Sequence, residues 1–248
     1  MIKQMHLAAQ YLAAAGISFL DKKADDSHTN LGFDIKNGCL STHVLSDQGD
    51  QLCLSYERFA LEWTSNKGTT TFELDGAMHS EVLSWLIETS KAQLNKTYHY
   101  EFHYDLPYAI DDNFTFSLSD SDQLGALKAL RVMAQLVLQN IDEHYSLKAS
   151  IRVWPHHFDS GIYSALPDSD VTVGLGLAIP DTVCDKYYLY SAGYKNGAKI
   201  ATSAFPALTL GTWKSGDFVG AVLNAEALTV QEGVAFFEAT IKQLKNNL

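Results

Sequence analysis

The sequence predicts an α+β protein in which antiparallel sheets pack against helices. Short apolar segments with period-two alternation follow one another at hairpin spacing in two separate parts of the chain. Longer segments repeat apolar residues at helical spacing. The order is helix, strands, helix, then helix, strands, helix again. That order suggests two similar α-β-α halves around a long central helix: residues 1–105, a connecting loop 106–119, and 120–248.

The first helix is read from Met5, Leu7, Ala8, Tyr11, Leu12 and Ala15, an apolar stripe that stops at Gly16. Lys3 and the Ala run resemble a signal peptide, but Gln4, His6 and Gln10 interrupt what would have to be its apolar core. Asp21–Asn30 reads as a solvated loop, with His28 a surface residue. Strand-like runs follow at Leu31–Ile35, Cys39–Leu45, Gln51–Leu54, Arg58–Thr64 and Thr69–Leu74. Asn37-Gly38, Asp47-Gln48-Gly49-Asp50 and Asn66-Lys67-Gly68 separate them, and such short breaks allow only an antiparallel meander.

A helix from about Met78 to Leu94 turns Val82, Trp85, Leu86 and Thr89 inward and leaves Glu81, Glu88 and Lys91 outside. Tyr98–Asp105 has the clearest alternation, with Tyr98, Tyr100, Phe102 and Tyr104 on one face and His99, Glu101, His103 and Asp105 on the other. A metal bound to His99, Glu101 and His103 together is disfavoured, because strand residues four apart are separated by about 13 Å. An aromatic core face and a solvated polar face is the favoured reading. Leu106–Ser119 is a loop with a short strand expected at Phe114–Leu118.

The longest helix spans about Ser121–His144, with Asp120 and Gln123 at capping-box spacing. Its apolar residues surround much of its circumference, so it is expected to be the buried spine. Strands are then expected within Ile151–Leu166 and at Val171–Ile179, Tyr187–Tyr194, Ala207–Trp213 and Phe218–Leu223. Val230, Val234, Phe237, Ile241 and Leu244 form the stripe of a last helix, opened by the Thr229 and Glu232 capping pair.

The formal charge of −11, from 18 basic and 29 acidic residues, argues against nucleic acid and anionic membranes as partners, since both need clustered cations. No run approaches the roughly 18 apolar residues of a membrane span. Cys39, Cys53 and Cys184 have neither disulfide-framework nor zinc spacing and read as small buried residues. A bacterial-type cytoplasm is the expected location.

Chemically capable side chains are densest in Ile151–Leu166, IRVWPHHFDSGIYSAL. Pro155 cannot donate to a ladder, so pairing should falter after Trp154 and leave His156 and His157 at a strand end. In an extended segment His157 and Asp159 share a face, and the carboxylate could orient the imidazole as a general base. Those two are the candidate catalytic residues. Trp154, His156, Tyr188 and Tyr190 are the candidate ligand-binding residues, since Tyr, Trp and His often line pockets for organic ligands. His156, His157 and Asp159 are the candidate metal ligands.

The segment Trp154, Pro155, Phe158 and Asp159 resembles a family of uncharacterised bacterial proteins known only as a domain of unknown function. Tyr188, Tyr190, Ser191 and Tyr194, then Gly216, Asp217, Phe218 and Val219, extend the resemblance over the second half. The resemblance implies no activity, cofactor or catalytic residue. The expected function is small-molecule binding through an aromatic and His-lined pocket. The alternatives are a metal-assisted hydrolase using the His-His-x-Asp segment, with His99 or His103 brought near, and a structural or partner-binding module. The sequence names no cofactor and leaves the oligomeric state open.

Overall fold

The computed structural model describes residues 1–246 and has the expected class: helices and two antiparallel sheets, of five and seven strands. The chain divides into two compact units. Among the described residues, the first comprises 1–128 and 153–158, and the second 129–152 and 159–246. The boundary falls inside a helix, not in the 106–119 loop where the sequence reading places it. That helix is continuous from one unit into the next, so the linker-like composition of 106–119 marks no break.

In the first unit, helix α1 (Ile2–Phe19) is buried at every position from Met5 to Gly16. It packs on a meander of β1 (Gly32–Asp34), β2 (Cys39–Ser41), β3 (Gln51–Ser55), β4 (Ala60–Ser65) and β5 (Gly68–Glu73). Leu40, Leu52, Leu54, Leu61 and Trp63 are buried, while the residues between them face outward, as a half-buried sheet requires. Trp63 satisfies its indole by donating to Asp50 Oδ1 at 2.9 Å. Gly16 is needed at its position, since a Cβ there would lie 2.4 Å from the His28 carbonyl oxygen. Helix α2 (His79–Leu94) buries Val82, Leu86 and Thr89 as its periodicity predicts.

Tyr98–Asp105 forms no strand, contrary to its alternation. Tyr98 is buried, Tyr100, Phe102 and Tyr104 are half-buried, and the intervening residues are exposed, so the two faces are as expected. Polar groups of α1 anchor the segment. Tyr98 donates to the Tyr11 carbonyl at 3.1 Å, Tyr104 donates to Gln10 Oε1 at 2.9 Å, and Ser18 bonds both backbone groups of His99. The strand expected at Phe114–Leu118 is reduced to a bridge between Thr115 and Met78.

Helix α3 (Ser121–Tyr145) starts with the Asp120 carboxylate accepting the Gln123 N–H at 2.8 Å. It is amphipathic rather than buried all round, so the roles expected of α1 and α3 are exchanged. Small side chains explain this: the Ala and Gly residues of α1 let neighbours approach every face, whereas α3 carries Gln139 and Asn140 into solvent.

After β6 (Arg152–Trp154), the second unit builds its sheet from β7 (Asp159–Ala165), β8 (Val171–Ala178), β9 (Tyr188–Lys195), β11 (Thr212–Ser215) and β12 (Val219–Asn224), with β10 (Ala198–Lys199) on β9. The strand expected at Ala207–Trp213 is shortened and shifted to β11. Helix α4 (Val230–Asn246) opens with the predicted capping box, in which Thr229 and Glu232 exchange hydrogen bonds. Val137, Leu138 and Ile141 of α3 and Phe236, Phe237, Ile241 and Leu244 of α4 pack with Val173, Leu175, Leu177 and Leu189 in one core.

Candidate functional site

The segment Trp154–Asp159 makes a tight turn in which Phe158 N–H donates to the Trp154 carbonyl at 2.6 Å and Phe158 takes φ of +58°. A left-handed residue breaks the extended geometry that would put His157 and Asp159 on one face. The general-base pairing expected of those two is therefore corrected. Trp154, His156 and His157 belong to the first unit, and Asp159, Tyr188 and Tyr190 to the second.

Within the first unit the turn is tied to α1. His6 Nε2 and Gln10 Nε2 both meet the Pro155 carbonyl, at 2.8 and 2.7 Å, and the His6 ring stacks on Phe158 with centroids 4.9 Å apart. Two of the three polar residues that spoil α1 as a signal peptide, His6 and Gln10, are thus its buried anchors. His156 lies among rings, 5.7 Å from Tyr104 and 6.0 Å from Trp154 by centroid, while His157 is exposed. His103 pairs with Asp26 at 3.0 Å. Among the described residues, no group of three or more His, Cys, Asp or Glu side chains is placed to hold a metal ion. The metal set His156, His157 and Asp159 is not assembled.

In the second unit Asp159 opens β7 and Tyr190 lies in β9, with β8 between them. The Tyr190 hydroxyl donates to Asp159 Oδ2 at 2.6 Å. Its ring crosses Gly176 and Gly161: a Cβ on either glycine would approach the phenol to 2.6 and 2.7 Å. Burial, then the Asp159 charge and hydrogen bond, push the Tyr190 phenol well above its ordinary range, so it remains a donor at neutral pH. Asp159 Oδ1 is buried and has no hydrogen-bond partner among the described residues.

Tyr188 repeats the theme on the same strand. Its hydroxyl donates to Asp181 Oδ2 at 2.8 Å, and Asp181 Oδ1 accepts the Val183 and Cys184 N–H groups. Burial and the Asp181 bond raise the Tyr188 phenol too. Around the two tyrosines sit Val183, Cys184, Val222 and Phe218, the last with its ring centroid 6.5 Å from that of Tyr190. Beyond them Tyr163, 67% exposed, packs edge-on to Tyr194 beside Gly174.

The opposite sheet face carries a polar pair that the sequence reading missed. Arg131 of α3 is buried and donates to Ser160 Oγ at 2.7 Å. Its signal was legible: Leu127, Arg131, Ala134 and Leu138 share one helical stripe, and a cation in an apolar stripe needs a partner. An open groove of about 640 Å³ between the end of α3 and α4 is lined by His144, Tyr145, Glu238 and Lys242. Its polar groups are solvated, and His144 already faces Glu238 at 3.9 Å.

No family model, curated protein or solved structure matches the chain. Among the described residues no helix is long and apolar enough to cross a membrane.

Proposed function

We propose that this protein binds a small organic molecule at the Asp159–Tyr190 pair of its second unit, and that the ligand presents an amine or hydroxyl donor to Asp159. The observation that carries this reading is the buried, unpartnered Asp159 Oδ1. A buried carboxylate oxygen without a donor is costly, and an incoming N–H or O–H removes that cost. A cationic amine suits the site best, because it also neutralises the carboxylate. Tyr190 and Phe218 supply the apolar walls that pockets for organic ligands use. The reading places the protein in the cytoplasm, in keeping with three free cysteines.

The test is a thermal-shift screen of small primary amines, amino alcohols and polyols, followed by calorimetry on hits. A ligand at a hundred times its Kd stabilises by about 2.7 kcal/mol, a readily measured shift. The shift should vanish in Asp159→Asn, which keeps the size but removes the charge, and persist in His157→Ala. A screen without hits, or hits that Asp159→Asn retains, would overturn the reading.

A further inference from the structure

The outer face of the five-stranded sheet carries two of the three cysteines. Cys39 pairs in register with Ser55, and Cys53 with Ser41, so the two cysteines are diagonal neighbours on one face of β2 and β3. We propose that Cys39 and Cys53 are a redox-reactive thiol pair that a hydroperoxide closes to a reversible disulfide. Both are free thiols, Cys39 buried and Cys53 half-buried.

The neighbouring Cys53 thiol draws the Cys39 thiol below its ordinary range, while Cys39 and burial push Cys53 up. Burial and the carboxylates of Asp34 and Glu62, which pair across the ladder with Cys39 and Cys53, oppose the thiolate. The net effect still lowers Cys39 and raises Cys53. Cys39 is therefore the attacking sulfur and Cys53 the resolving one.

In the first step the Cys39 thiolate attacks the terminal peroxide oxygen. The S–O bond forms, the O–O bond breaks, and the alkoxide leaves as the alcohol with the proton that Cys39 had released. In the second step the Cys53 sulfur attacks the Cys39 sulfenic sulfur. The S–S bond forms, the S–O bond breaks, and hydroxide takes the Cys53 proton and leaves as water. The peroxide is reduced by two electrons and the thiols are oxidised by two.

Diagonal Cα positions on an antiparallel pair are about 7–8 Å apart, slightly beyond what an unstrained disulfide spans. Cys39 begins the three-residue strand β2 and pairs on both sides, with Asp34 of β1 and Ser55 of β3, so closing the bond has to draw β2 and β3 together. The resulting bond is strained and hence easily reduced.

Hydrogen peroxide is added to the folded chain, free thiols are alkylated, and the product is digested on the N-terminal side of Asp. Cleavage before Asp47 and Asp50 separates the cysteines unless they are joined. The expected result is a single Cys39–Cys53 cross-linked species, with Cys184 still alkylated, that dithiothreitol reverses. In Cys53→Ser the Cys39 sulfenic acid should persist and react with dimedone, and in Cys184→Ser the cross-link should form unchanged. In urea the preference over Cys184 should disappear. Oxidation of Cys39 and Cys53 without a cross-link, or a cross-link no faster than Cys184 oxidation, would overturn the proposal.

Discussion

Tyr190 spans a whole strand to reach Asp159: its hydroxyl stands 2.6 Å from Asp159 Oδ2, with Gly176 and Gly161 beneath the ring. The side chain lies flat along the sheet only because β8 and β7 present no Cβ there. This relationship turns three separate sequence features, a Tyr-rich strand, a Gly-rich strand and an Asp after a turn, into one unit.

Gly176→Ala should therefore be destabilising. The added methyl would meet the Ser160 carbonyl oxygen at 2.2 Å and the Tyr190 ring at 2.6 Å, and the backbone contact has no flexible end to yield. A cost of about 1–3 kcal/mol is expected, read as a lower urea midpoint. Gly216→Ala, which meets nothing within 4 Å, should leave the midpoint unchanged. Equal effects from the two would show that Tyr190 does not occupy the space above Gly176.

Tyr190→Phe should cost about 1.5–3 kcal/mol, the range for a hydrogen bond to a charged group. The phenylalanine keeps the packing over the glycines but takes the donor from Asp159 Oδ2, when Oδ1 already has none. Adding Asp159→Asn should recover part of the loss, because the uncompensated charge goes with it. A double-mutant cycle with no coupling would argue against the bond.

Element order was legible in the sequence because turn chemistry and side-chain period are local. Asn37-Gly38 and Asn66-Lys67-Gly68 sit at the hairpin ends they predict, and Thr229 with Glu232 opens α4. Gly174 and Gly176 were visible as interruptions of an apolar strand, a sign of close approach, but not which ring approaches. The His157–Asp159 geometry was not legible, since it turns on the φ of Phe158, a residue type that rarely goes left-handed. The spine was misassigned for a related reason. Apolar coverage counts side chains, whereas the burial of α1 follows from how closely neighbours approach its small ones.

The same distinction explains Tyr98–Asp105. Alternation specifies which side chains face inward, but a strand also needs a partner backbone, and here the His99 backbone bonds the Ser18 hydroxyl of α1 instead. Downstream, residues 105–110 alternate between exposed and half-buried, 111–113 are all exposed, and the whole stretch lacks regular structure. Limited proteolysis should cut there first, at Asp105, Asp111 or Asp112 with an Asp-specific protease, before any site in β7–β9. First cleavage within β8 or β9 would contradict this ranking of local stability.

His79 makes stability depend on pH in a defined direction. It is buried, and its Nδ1 meets the Tyr11 hydroxyl at 2.6 Å. Burial lowers its pKa, and the Asp112 and Asp111 carboxylates only partly offset that. The folded chain thus keeps His79 neutral where the unfolded chain, near pH 6.5, has begun to protonate it. The unfolded state binds more protons in that window, so stability is full above pH 6.5 and falls as pH drops, with a limiting slope of about 1.4 kcal/mol per unit for one proton. His28, lowered mainly by burial, adds to the fall with the same sign. The lowered carboxylates of Asp34 and Glu232 also lose their contribution on acidification, but only below the ordinary carboxylate pKa near 4, so the interval from about pH 5 to 6.5 isolates the histidines. Urea midpoints across that interval should decline in the wild-type chain. They should decline less in His79→Gln, which keeps an acceptor for Tyr11 but cannot titrate, and an identical decline in the two would assign the acid sensitivity elsewhere.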